Sequence, residues 1–139
     1  MIDHISLRVS DFQRSLAFYE RALAPLGYKL VFSNDTEQYA GFAGPDRERI
    51  WIGCNDGPRG YAHIAILTPD RSTVRRFHEE ALKAGGRDNG PPGLRPMYSP
   101  NYYGAFVLDP DDHNIEAVCF AKDEYAKPAA SACRRSDRL

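Results

Sequence analysis

Alternation of apolar and polar positions opens the chain twice. In HISLRV, Ile5, Leu7 and Val9 fall on one side of an extended segment and His4, Ser6 and Arg8 on the other. In HIAIL, Ile64 and Ile66 oppose His63, Ala65 and Leu67. Each predicted strand is followed by a helical period. Phe12, Leu16, Tyr19, Leu23 and Leu26 recur at helix spacing, with Ser10 and Gln13 read as a capping box and Gly27 as the stop. Val74, Phe77, Ala81 and Leu82 repeat the pattern between Asp70, a candidate N-cap, and Gly85-Gly86. Short strand-like runs come next: GYKLVFS, EQYAGFA and RERIWIG in the first half, then a less regular segment, YGAFVLD and NIEAVCF in the second.

The two halves are copies. At an offset of 59 positions His4 falls on His63, Ile5 on Ile64, Asp11 on Asp70, Phe18 on Phe77, Glu20 on Glu79 and Gly27 on Gly86. Residues of such different chemistry do not coincide by chance in so short a window. The predicted unit is βαβββ, used twice. Residues 1–53 form the first module, 54–60 (CNDGPRG) the linker, 61–120 the second module and 121–139 a polar, unpatterned tail. The expected class is α+β, with the helices covering the apolar sheet faces and a curved, mostly antiparallel sheet enclosing a cavity.

Bulk composition narrows the function. Eighteen Lys and Arg nearly balance nineteen Asp and Glu over 139 residues, with no block of like charge, so no nucleic-acid or anionic-membrane surface is expected and the partner should be a small molecule. Cys54, Cys119 and Cys133 lack the spacing of a disulfide or zinc framework, and no segment reads as a leader or a membrane span. A cytoplasmic protein is the expectation.

The chemistry concentrates on DPDDHNIEAV. Alternation places Glu116 with Val118 and Phe120 on one face and Ile115, Ala117 and Cys119 on the other. A carboxylate within a buried run needs water, a partner or a metal, since an isolated buried charge is too costly. At an offset of 65, Arg49-Ile50-Trp51-Ile52 lies on Asn114-Ile115-Glu116-Ala117, so Glu116 shares its module position with Trp51. Related by a pseudo-twofold, the duplicated sheets would bring His4, His63 and Glu116 around one cavity. Two imidazoles and a carboxylate suit a divalent ion (Fe, Mn, Ni, Co or Zn) with open coordination positions, and a metal-free hydrogen-bonded triad is the alternative.

These residues carry a family resemblance. DHISLRVSD, YAHIAI and DPDDHNIE are similar to the opening and closing signatures of the vicinal oxygen chelate superfamily, the glyoxalase, bleomycin-resistance and extradiol dioxygenase group. The resemblance covers roughly the first 120 residues, with Asp112 where the family more usually has glycine. It implies a glyoxalase-like fold, and a homodimer in which His4 comes from one chain and His63 with Glu116 from the other. It implies a metalloenzyme in which Glu116 is a ligand and catalytic group, acting on vicinal oxygens of a small substrate as a lyase, an isomerase or a ring-cleaving dioxygenase. The alternatives within the family are a metal-free sequestering protein of the bleomycin-resistance type and a thiol transferase of the fosfomycin-resistance type. Bacterial glyoxalase I resembles this pattern but carries a glutamate where Trp51 stands. The thiol transferases carry an arginine after the last ligand, where this chain reads KDEYAK.

Other residues admit two readings each. Ser6 and Arg8 face with His4 and suit an anionic substrate, or Arg8 forms an ion pair at the rim. Trp51 is an apolar wall of the site or plain core. The segment Asp88–Gly104, rich in Pro, Gly and Tyr, reads as a lid in which Arg95, Tyr98, Asn101, Tyr102 and Tyr103 contact substrate, or as a stiffened, packed loop. His78 is expected on the helix surface or partly in the core. His113 is expected in solvent.

Overall fold

The computed structural model describes residues 2–56 and 60–122; the three linker residues 57–59, Cys133 and most of the predicted tail lie outside the described residues. The chain runs β1 (His4–Arg8), α1 (Phe12–Leu23) with a 3-10 turn over Ala24–Leu26, β2 (Lys29–Asn34), β3 (Tyr39–Ala43), β4 (Arg49–Gly53), β5 (His63–Leu67), α2 (Arg71–Lys83), β6 (Arg87–Leu94), β7 (Tyr103–Leu108) and β8 (Asn114–Cys119). Two four-stranded sheets result, β1-β4-β3-β2 and β5-β8-β7-β6. In each, the first strand runs parallel to the last and the other pairs are antiparallel. The α+β class and the paired βαβββ units are as expected, and the two sheets do not close on one another within the chain.

Local chemistry explains the elements. Asp11, not Ser10, caps α1: its side chain accepts the amide of Arg14, while Asp70 does the same for Thr73 in α2. An aspartate reaches the third amide with a full negative charge at the positive end of the helix, and Asp70 is held below the usual carboxylate range chiefly by its bonds from Ser72 and Thr73. Gly27 ends the 3-10 turn in the left-handed conformation, φ 85°, which glycine adopts without strain. The helices bury Phe12, Phe18, Tyr19, Ala22 and Leu23 from α1 and Val74, Phe77 and Ala81 from α2 into one core shared by both modules. Each large apolar side chain in it stabilises the fold by roughly 1.5–3 kcal/mol. Leu82, read from its spacing as a core position, is instead exposed.

The turn before each closing strand is built the same way. Pro45-Asp46-Arg47 and Pro110-Asp111-Asp112 occupy equivalent places, Arg47 and Asp112 take φ 71° and 69°, and the turns close through Arg47 N to Gly44 O and Asp112 N to Asp109 O. The left-handed backbone at Asp112 accounts for the glycine usual in the resembled signature. The second turn also clasps the two modules. The hydroxyl of buried Tyr19 donates to Asp109 Oδ2 at 2.6 Å, and Asp109 Oδ1 accepts the amides of Asp111 and His113. Burial first, and then the Asp109 charge, push the Tyr19 phenol well above its ordinary pKa.

His113 corrects an expectation. It is 3% exposed rather than solvated. Its Nδ1 accepts the Ala62 amide at 3.0 Å and its Nε2 donates to Arg8 O at 2.9 Å, so the ring joins the end of β1 to the approach of β5. A polar turn residue became core because the turn packs against the other module.

Candidate functional site

With the helices on one side, each sheet keeps an open face. On the second sheet that face carries Glu116 between its strand partners Ala65 and Phe106. Glu116 is 1% exposed. Its Oε2 lies 2.8 Å from His63 Nε2, and its Oε1 accepts a short hydrogen bond from the Tyr102 hydroxyl. His63 pairs with Asn114 in the ladder, so its ring reaches Glu116 along the diagonal of the parallel pair. Phe106 lies 6.2 Å from the His63 ring, Phe120 sits edge-on to Tyr102 at 5.3 Å, and Tyr98, from the turn before β7, does so at 5.1 Å. The carboxylate is buried, whereas the His63 side chain is half exposed. Desolvation, then the bond to Glu116, raise the Tyr102 phenol to a pKa of about 12, so at neutral pH it is a donor.

The equivalent face of the first sheet is built from different chemistry. Ser6 pairs with Trp51 as Ala65 pairs with Glu116, so Trp51 holds the place of the carboxylate. Trp51 forms a cluster with Tyr39 and Phe32, at centroid distances of 6.1 and 6.2 Å. Its other strand partner is Gly41, where a Cβ would come within 2.7 Å of the indole, so only glycine lets the ring settle on the strand. His4, Ser6, Arg8, Tyr39 and Trp51 line a cleft of about 570 Å³ on this face. His4 is exposed and its Nδ1 bonds to Asp3 at 2.8 Å. Arg8 forms no ion pair among the described residues, and its Nη1 is buried without a hydrogen-bond partner.

The predicted residues therefore divide. His63, Glu116 and Tyr102 are brought into bonding contact, with Tyr98 and Arg95 beside them; the Arg95 guanidinium lies 5.5 Å from the Phe106 ring and donates to Pro91 O. His4, Ser6, Arg8 and Trp51 are brought together on the other sheet. Tyr103 does not face the site. Its ring turns to the helix side, under Arg71 at 4.8 Å and with its hydroxyl near Arg75, because strand alternation sends Tyr102 and Tyr103 to opposite faces. Asn101 lies half-buried in the turn that precedes β7. Nor is Asp88–Gly104 a lid throughout: its first half is the edge strand β6, whose prolines are accommodated at register shifts, and only residues 95–102 form a turn. His78 bonds to Asp88 at 2.9 Å and lowers that carboxyl's pKa. The sequence reading does not single out Phe106, Tyr39 and Gly41; Phe106 lies opposite Glu116 and Gly41 opposite Trp51, and Tyr39 shares the face of Gly41 two residues along the strand.

An imidazole nitrogen and a carboxylate oxygen converging at 2.8 Å are the donor types a divalent ion takes. Among the described residues, no three of His, Cys, Asp and Glu converge to hold a metal; His63 and Glu116 are two such donor groups side by side.

A sequence model of the Glyoxalase/Bleomycin resistance protein/Dioxygenase superfamily matches residues 1–117, and the chain belongs to that superfamily. It is 30% identical over 129 residues to the lactoylglutathione lyase of Salmonella typhimurium, covering 83% of this chain and 89% of that one. It is 32% identical over 128 residues to the lactoylglutathione lyase of Oryza sativa, covering 82% of this chain and 42% of that longer one. Among solved structures, a glyoxalase/bleomycin resistance protein from Albidiferax ferrireducens superposes with a TM-score of 0.71 at 24% identity, covering 86% of this chain and 98% of that one. Lactoylglutathione lyase from Agrobacterium tumefaciens superposes with a TM-score of 0.64 at 17% identity, over 86% and 92% of the two chains. No helix among the described residues is long and apolar enough to cross a membrane.

Proposed function

We propose that the protein is a metal-dependent enzyme acting on neighbouring oxygens of a small substrate, with a centre formed by His63 and Glu116 of one chain and His4 of a second copy. One observation carries this reading: a carboxylate 1% exposed, on the open face of a sheet, with an imidazole nitrogen 2.8 Å from its oxygen. The names of the curated relatives support lyase or isomerase chemistry, with ring-cleaving oxygenation as the alternative within the superfamily. A divalent ion bound there would polarise the substrate oxygens and offset negative charge developing on them. The residues of the chain do the positioning. Tyr102 holds Glu116 Oε1 and leaves Oε2 turned to His63. Phe106 flanks the His63 ring, which remains open to solvent and to a ligand.

A second reading has its own observation: both oxygens of Glu116 already have partners in His63 and Tyr102, as a metal-free protein that sequesters a small molecule would need. Metal analysis of protein purified without added ions separates them. Stoichiometric divalent metal that His63→Ala abolishes, together with turnover in a lactoylglutathione lyase assay, supports the enzyme. Absence of metal after incubation with each candidate ion, with small-molecule binding unchanged in His63→Ala, supports sequestration.

A further inference from the structure

We infer that the open face of the first sheet anchors a planar aromatic monoanion, its ring against Trp51 and Tyr39 and its negative group on Arg8 and Ser6. The inference rests on the proposed function only in expecting the reacting oxygens to lie toward His4; the anchoring itself needs no metal.

Four observations converge. Three carbons of the Trp51 ring stand nearly equidistant, at 2.7, 2.8 and 2.9 Å, from the position a Cβ would take at Gly41, so the indole lies face-down on bare backbone and offers its other face. Tyr39 flanks it at 6.1 Å and Phe32 stacks on Tyr39 at 5.0 Å, extending one aromatic wall. Arg8, on the same face, keeps a buried guanidinium nitrogen without an acceptor, and polar groups in that state are rare unless a ligand or water completes them. Ser6, the strand partner of Trp51, lies between that cation and the ring with an exposed side chain. The cleft, about 570 Å³, falls within the range of small-molecule sites, on the order of 300–1,000 Å³.

The charges fix the class. A guanidinium bonds a carboxylate through two parallel N–H donors, whereas a neutral amide offers one acceptor and a competing donor. Glu37, on the exposed turn between β2 and β3, also lines the cleft and disfavours a second negative charge. His4, Tyr39 and Cys54 are the remaining titratable groups along it. A flexible peptide thiol has no ring to lay on Trp51.

Trp51 is the single tryptophan of the chain, so its fluorescence reads the site directly. The probes are 4-nitrobenzoate, the isosteric 4-nitrobenzamide, acetate and glutathione, with N-acetyltryptophanamide correcting for collisional quenching. The inference expects saturable quenching by the acid, with the amide and acetate at least about tenfold weaker and glutathione without effect. Arg8→Gln should erase the preference for acid over amide, and Arg8→Lys should keep part of it, each with an unchanged thermal transition. Binding should be the same in the presence and absence of EDTA, which keeps this outcome separate from the fate of the metal site. Equal affinity for acid and amide, saturable quenching by glutathione alone, no saturable quenching up to about 10 mM, or a preference that survives in folded Arg8→Gln would overturn it.

Discussion

The phenol of Tyr102 and the carboxylate of Glu116 are hydrogen-bonded to one another at the β7–β8 pair, Tyr102 half-buried and Glu116 almost wholly so. Glu116 therefore depends on a residue that immediately precedes its neighbouring strand. Tyr102→Phe leaves a buried carboxylate oxygen without its donor, and its expected cost is about 1–3 kcal/mol in urea unfolding, without change of fold.

The same bond gives a pH dependence. The folded-state pKa of Tyr102 is raised to about 12 from an ordinary 10.0, so the stability it brings is fully present below pH 10 and is lost as pH rises through about 12. The stability difference between the wild type and Tyr102→Phe should hold steady up to about pH 10 and shrink above it. Ultraviolet difference titration should show one late-titrating phenol fewer in the variant.

The inter-module clasp makes a stronger prediction. Asp109 receives the Tyr19 hydroxyl and two backbone amides with no exposure to solvent. Asp109→Ala strands all three donors and should cost at least about 3 kcal/mol, whereas Asp109→Asn keeps an acceptor for the amides and should cost about half as much or less. Urea midpoints compare the two.

The paired turns predict a gain. Arg47, at φ 71°, occupies a conformation that glycine adopts freely, and Arg47→Gly should stabilise the protein by up to about 1 kcal/mol. Asp112→Gly should yield less, because aspartate tolerates this region better and its side chain forms an exposed ion pair with Arg87. Calorimetric transition temperatures rank them.

These turns also show how far the chain could be read without coordinates. Duplication, element order and the equivalence of Trp51 with Glu116 followed from periodicity and self-comparison, because alternation ties each side chain to a face once a strand is recognised. Tyr103 escaped because the proline- and glycine-rich segment before it has no period from which to count faces. His113 escaped because its burial comes from the other module, which local polarity does not register. The contact of His63 with Glu116 was legible from their module positions, whereas the proposed meeting of His4 with them involves a second copy of the chain, about which a single sequence carries only the family likeness.

That meeting is tested by subunit complementation. His4→Ala and His63→Ala are prepared separately, mixed, unfolded and refolded together, and their bound divalent metal is measured. If two copies share each centre, both variants are metal-poor alone, and the mixture regains about one quarter of wild-type metal, since half the dimers are mixed and each has one intact site. A mixture no better than its components, or full metal retention by His4→Ala alone, would contradict the shared centre.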